Sequence, residues 1–264
     1  MATQDLILST HTKKESKRRL FIYAVFIFVE HKRIFVEEMT DHLIIVAGGT
    51  GSRMGTDLPK QFLEINHKPI LVRTLERFYS FDSSLNIIVV LHPDFVDYWI
   101  DLKRTLQLDI PHQVVAGGKE RFFSVQNGLN AIQAETGVVG IHDAVRPLVS
   151  KRTFETSYHQ ARINGNAIPV LPLNDSLRTV EDGQNKIADR SKFRLVQTPQ
   201  CFEISLLRKA FQQAYHPTFT DDASVVEALG VHLNLVEGNR ENIKITTPED
   251  LQMAQAYFTL TKEI

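Results

Sequence analysis

One cysteine in 264 residues excludes an intramolecular disulfide and fits a reducing compartment, the cytoplasm. Cys201 lies between Gln200 and Phe202 and reads as a small core residue rather than a reactive thiol. Charge of one sign is lacking as well. Thirty Lys and Arg against 31 Asp and Glu leave a net charge of −1, which excludes a general attraction to nucleic acid or to an anionic membrane. Any charge that binds phosphate must therefore be local to a cleft. No metal-ligand spacing such as H-E-x-x-H joins the ten histidines, which argues against zinc. No window reads G-x-x-x-x-G-K-[ST], and the dinucleotide fingerprint fails because Met54 stands where its third glycine belongs, with Gly55 one step late. Repeats, low-complexity tracts and long Gly/Ser linkers are missing too. With 43% hydrophobic residues, the chain can fill one large α/β core.

The apolar stretch near the start, Leu20 to Val29, has ten residues, too few to span a bilayer. A basic segment, KKESKRR (13–19), precedes it, but no small-residue cleavage site follows. Residues 1–39 therefore read as an N-terminal extension outside the fold, with the working domain spanning 40–264.

What the chain does have is concentrated in LIIVAGGTGSRMGTDLPK, residues 43–60. Leu43 to Ala47 read as a buried strand. Gly48, Gly49, Gly51 and Gly55 follow, with Arg53 among them and Pro59-Lys60-Gln61 behind. Such a loop lets bare amides converge on an anion. Glycines alone also suit a structural turn, but the two fixed cations make this a triphosphate site.

Beyond the loop, strand and helix patterns alternate, the rhythm of a mainly parallel sheet with helices on both faces. Strands are expected at 86–91, 112–115, 137–141, 167–170 and 231–236. Helices are expected from Pro69 as the first helical residue, over 94–107, 120–132, 153–162 and 205–214, and from Thr247-Pro248 onward. Trp99 reads as packing. In open α/β sheets ligands bind beyond the strands' carboxyl ends, which singles out GGKERFFSV (117–125) and HDAVRP (142–147). Gly118 and Ser124 can present an amide and a hydroxyl to a nucleobase. Asp143 emerges from an apolar run, so it must pair, with Arg146 as the obvious partner, or bind a cation such as Mg²⁺. Two short segments about Asp182-Gly183 signal a hairpin with too little apolar surface to fold back on its own domain, a projecting arm at about 174–190. In Thr220-Asp221-Asp222-Ala223-Ser224, at least one aspartate is expected to cap a helix.

The ordered set AGGTGSRMG, PKQF, GGKERFFSV, HDAVRP, the arm ending in ADR, QTPQ, TDDAS and VEGNRENIKITTPEDL covers about residues 42–258. It resembles the 2-C-methyl-D-erythritol 4-phosphate cytidylyltransferase family of the non-mevalonate isoprenoid pathway. The resemblance implies a single Rossmann-like α/β nucleotidyltransferase domain, with a protruding β-arm exchanged across a homodimer. It implies that Ala47, Gly48, Gly49, Gly51, Arg53 and Lys60 hold the CTP phosphates, with Arg53 and Lys60 catalytic. Gly118, Ser124 and Ala144 would take the cytosine and ribose, and Asp143 would serve Mg²⁺. Arg146, Thr220 and Lys244 would face the polyol phosphate, joined by Ser176 and Arg190 of the neighbouring subunit. Ser52 and Lys119 depart from the family pattern, which often has a basic and an acidic residue there. Two other readings stay open: a ribitol-5-phosphate cytidylyltransferase with the same chemistry, and a nucleotide-binding relative without turnover.

Overall fold

β1 (His42–Ala47) places alternate residues on opposite faces of a sheet, and this alternation organises the domain. In the computed structural model, residues 41–49 and 58–260 are described, and the readings made on 1–39, Gly51 and Arg53 lie outside them. Leu43, Ile45 and Ala47 enter one hydrophobic cluster, while Ile44 enters a second on the other face.

A single 3₁₀ turn, Lys60–Phe62, leads to the small ladder of β2 (Glu64–Ile65) and β3 (Lys68–Pro69). α1 follows over Ile70–Phe81. Pro69 is therefore not the first helical residue: its ψ of 142° is extended, and it pairs with Glu64 before the helix begins. β4 (Asn86–Leu91), α2 (Val96–Thr105), β5 (Gln113–Ala116) and α3 (Arg121–Asn130) come next. β6 (Val138–Asp143) runs two residues past its expected end, so Asp143 is the last residue of the strand. α4 (Lys151–Asn164) is N-capped by Ser150, whose hydroxyl accepts from the Thr153 amide, and ends at left-handed Gly165.

The second half holds β7 (Asn166–Pro172), the hairpin β8 (Leu177–Glu181) and β9 (Gln184–Ala188), then β10 (Arg194–Val196) and β11 (Gln200–Glu203). α5 (Ile204–Ala210), α6 (Asp222–Glu227), β12 (Leu235–Glu237) and α7 (Pro248–Leu260) complete it. β12 is shorter than its pattern because the Asn166 side chain takes the His232 carbonyl at 3.0 Å and the Asn234 amide at 2.8 Å, groups a ladder would otherwise use.

The sheet order is β10-β7-β11-β6-β1-β4-β5, with β12 also on β7. β1, β4, β5 and β6 are parallel, and β11 runs antiparallel between β6 and β7, a strand the sequence pattern does not announce. The chain steps from β1 outward to β4 and β5, then returns to β6 on β1's other side. That reversal opens a crevice at the carboxyl end of β1. Register aligns its walls: Ala47 opposite Leu91, Leu91 opposite Ala116, and Val46 opposite Asp143.

Both faces are covered. α1, α2 and α4 enclose one cluster with Trp99 fully buried in it, and α3, α5 and α6 enclose the other. Cys201 is buried, as its surroundings in the sequence indicate. The hairpin is the exception. Val180 is 71% exposed and Ile187 82%, so the arm has no apolar support from its own domain.

Candidate active site

The crevice holds a cavity of about 400 Å³ whose wall includes Ala47, Gly48, Gly49, Lys60, Gly118, Ser124, Asp143, Ala144 and Lys244. Nine sequence-predicted residues from five segments thus meet in one place. Arg146 joins them through Asp143, at 2.9 Å. Ser176, Arg190 and Thr220 are exposed and lie outside the cavity wall of this single chain. Arg190 donates instead to the Asn174 carbonyl at the arm's base.

Each wall has a local cause. Lys60 is set by its neighbour: buried Gln61 donates to the Ala47 carbonyl at 2.8 Å, tying this segment to the end of β1. Gly118 can only be glycine, because a Cβ there would collide with the Cβ of Phe123. The Ser124 hydroxyl accepts from the Gly118 amide at 3.1 Å and donates to the Glu120 carbonyl at 3.1 Å. It therefore holds the loop's shape as well as facing the cavity. Lys244 arrives through the loop before α7. Gln197 donates to the Asn239 carbonyl at 2.9 Å and accepts from the Asn239 amide at 3.2 Å, and Ile245 donates to the Val145 carbonyl at 3.0 Å.

Asp143 is 7% exposed and receives two cations on one oxygen, Oδ2: Arg146 at 2.9 Å and Lys244 at 3.2 Å. Burial alone would raise its pKa. Lys244, Arg121 and Arg146 outweigh that and hold the carboxyl well below the usual carboxylate range. Both readings of Asp143 were left open by the sequence, and the ion pair with Arg146 is formed. Behind it, fully buried His142 is pushed down to about 4 by burial and is neutral. The Arg146 carbonyl at 3.0 Å can only accept, so His142 Nε2 carries the proton and Nδ1 accepts from Thr198 Oγ1 at 3.0 Å. Thr198 Oγ1 in turn accepts from the Asp143 amide at 3.1 Å, fixing the end of β6.

Sequence reasoning missed Gln61, His92 and Arg121 on the wall. Arg121 lies within the quoted motif GGKERFFSV, but its partner is Asp222 of TDDAS, at 2.8 and 2.6 Å, and nothing local links the two. Burial opposes the charge on Arg121, and the Asp222 carboxylate more than restores it. The two aspartates of TDDAS divide their tasks: Asp221 caps α6 through the Ser224 amide at 2.9 Å, and fully buried Asp222 pairs with Arg121.

A glycine turn, a lysine and a cation-bound carboxylate at the switch point of an α/β sheet define a nucleotide-dependent transferase site. The family described as IspD, 2-C-methyl-D-erythritol 4-phosphate cytidylyltransferase, matches residues 42–260, and the chain belongs to it. A protein of that name from Phocaeicola vulgatus is 49% identical over 217 residues, which are 82% of this chain and 99% of the relative. One from Porphyromonas gingivalis is 44% identical over 223 residues, 84% of this chain and 99% of the relative. Among solved structures, the 4-diphosphocytidyl-2C-methyl-D-erythritol synthase of Anaerococcus prevotii superposes with a TM-score of 0.72 at 27% identity, covering 85% of this chain and 98% of that one. The 2-C-methyl-D-erythritol 4-phosphate cytidylyltransferase of Thermus thermophilus gives 0.63 at 32% identity, covering 82% and 97%.

Proposed function

We infer that this chain is a cytidylyltransferase that transfers CMP from CTP to 2-C-methyl-D-erythritol 4-phosphate, releasing pyrophosphate. The observation that carries the reading is the convergence of Lys60, the glycine turn, Asp143 and Lys244 on one cavity, in a chain of this family.

The acceptor phosphate must approach the α-phosphorus of CTP, and both are anionic. No nucleophilic side chain is needed, because positioning and charge stabilisation suffice for such a transfer. Ala47, Gly48 and Gly49 bring backbone amides toward the triphosphate, and Lys60 stabilises the crowded α-phosphate, with Arg53 and Gly51 assigned to the same task by the family pattern. Gly118 and Ser124 frame the base, with Ala144 at the ribose. Lys244 and Arg146 serve the acceptor phosphate, and their hold on Asp143 keeps both cations in place before it binds.

Mg²⁺ fits the donor set. No group of three His, Cys, Asp or Glu among the described residues could hold a metal alone, and Mg²⁺ characteristically takes one or two carboxylates plus substrate phosphates. Asp143, at the cavity wall, would hold it. When bound, the ion neutralises the triphosphate and orients its leaving end.

The working form is a homodimer in which the arm's exposed Val180 and Ile187 find cover on the partner, bringing Ser176 and Arg190 to the partner's acceptor site. Thr220 completes that site. Its nucleotide chemistry and lone thiol suit the cytoplasm. Pyrophosphate release tests the reading, with CTP, ATP, GTP and UTP each offered with 2-C-methyl-D-erythritol 4-phosphate and with ribitol 5-phosphate. The expected result is turnover with CTP and the erythritol phosphate. Preference for ribitol 5-phosphate, or no turnover with any pair, would overturn it.

A further inference from the structure

An arginine on the wall of a triphosphate cavity would ordinarily be assigned to phosphate. Arg121 has a further partner that this assignment does not account for, because each terminal nitrogen of its guanidinium also donates to Asp222, at 2.8 and 2.6 Å. The pair is nearly neutral as a unit, and its fork geometry is satisfied without a ligand.

Its position is more informative. Arg121 opens α3 three residues after Gly118 on the nucleotide side, and Asp222 opens α6 two residues after Thr220. The same start of α6 is gripped from a second direction. Buried Gln200 on β11 accepts from the Ala223 amide at 2.8 Å and donates to Asp221 Oδ2 at 2.8 Å. Two segments distant in sequence, α3 and β11, therefore converge on the start of α6. A cap alone would require only Asp221 and Ser224, which already bond reciprocally.

We propose that the Arg121–Asp222 pair, backed by Gln200, is a positioning brace that fixes the Thr220–Asp221 turn relative to the nucleotide-binding turn and thereby sets affinity for the acceptor phosphate. The inference rests on the functional reading above, which places Thr220 at the acceptor. Arg121 acts through Asp222 and does not touch the reacting atoms.

The test is steady-state kinetics of the full chain with Arg121→Lys, which keeps the charge but loses the two-point grip, and with Asp222→Asn. Because a lone buried charge can prevent folding, Arg121→Met/Asp222→Leu removes both charges together and is checked by thermal melting. Each folded variant should show an acceptor KM raised about tenfold or more, the cost of a misplaced positioning group, with the KM for CTP within about twofold of wild type. A folded double variant with an unchanged acceptor KM overturns the brace. An equal rise for CTP and acceptor also overturns it, because the pair would then belong to the nucleotide site. Absence of wild-type turnover with CTP and 2-C-methyl-D-erythritol 4-phosphate overturns the functional reading, whereas wild-type turnover with unshifted variants overturns the brace alone.

Discussion

Lys60 and Arg190 occupy different places in this chain, and that difference can be turned into activity. Lys60 lines the cavity, whereas Arg190 is exposed beyond the end of β9 with its guanidinium on the Asn174 carbonyl. Neither belongs to a hydrophobic cluster, so Lys60→Ala and Arg190→Ala should both fold. Lys60→Ala removes a preorganised charge and should lower kcat by roughly 10²–10³. Arg190→Ala should raise KM for the polyol phosphate and leave KM for CTP nearly unchanged, if the arm reaches the partner's acceptor site. Mixing the two variants then separates the geometries. With the arm working across the dimer, each mixed dimer has one site carrying both lesions and one carrying neither. With the acceptor far below the KM of Arg190→Ala, where both homodimers are nearly inactive, random exchange at equal amounts makes half the dimers mixed, so about a quarter of wild-type activity should return, by two-fold symmetry. If Arg190 acted within its own chain, every site would keep one lesion and mixing would restore nothing. The assay is pyrophosphate release, with exchange verified by tagged subunits. No recovery after complete exchange would refute the shared site.

Asp143→Asn should lower CTP-dependent turnover by about 10² or more, by removing the anion that would hold Mg²⁺ and that keeps Arg146 and Lys244 in place; a Mg²⁺ titration that restores full activity would contradict this. Asp41 supplies a pH prediction at the base of β1. Burial lifts its carboxyl from 3.8 to about 6, against the opposing pull of Arg162, and its Oδ1 is buried without a partner. The folded chain therefore keeps a proton that the unfolded chain gives up. The stabilisation is complete below about pH 4 and is lost as pH rises through 6, about 3 kcal/mol in all. Urea unfolding should show wild type losing that amount relative to Asp41→Asn between pH 4 and 7, and a pH-independent difference would contradict it. Gly140→Ala would place a Cβ 2.5 Å from Tyr158 Oη, which donates to the His42 carbonyl at 2.7 Å. The clash and the broken hydrogen bond together should cost about 2–4 kcal/mol. A thermal melt should register the loss, adding Tyr158→Phe should recover part of it, and an unchanged Tm would refute the packing argument.

The features legible in the sequence are those whose cause is local. The buried strand before Gly48, the acidic start of α6 and the hairpin turn follow from neighbouring residues. In that turn Asp182 and Gly183 both take positive φ, at 49° and 75°, as a tight hairpin requires. The scarcity of apolar residues along β8 and β9 likewise marks a projecting arm. HDAVRP contained Asp143 and Arg146 three residues apart, so their pairing could be anticipated.

Other features depended on chain segments meeting, which no local pattern records. Antiparallel β11 is four residues long and is defined by its fit between β6 and β7 rather than by its own periodicity. Asp221 and Asp222 are adjacent and chemically identical. One faces the end of a helix and the other enters a buried pocket, and only the approach of Arg121 from α3 makes the second position tolerable. Lys244 meets Asp143 because Gln197 and the Val145 carbonyl hold its loop against the end of β6. By itself the sequence determined the residue types, the strand–helix order and the chemistry available to a triphosphate. Which charges face one another was decided by the tertiary structure, because a buried charge persists only where folding brings its counter-charge within hydrogen-bonding distance.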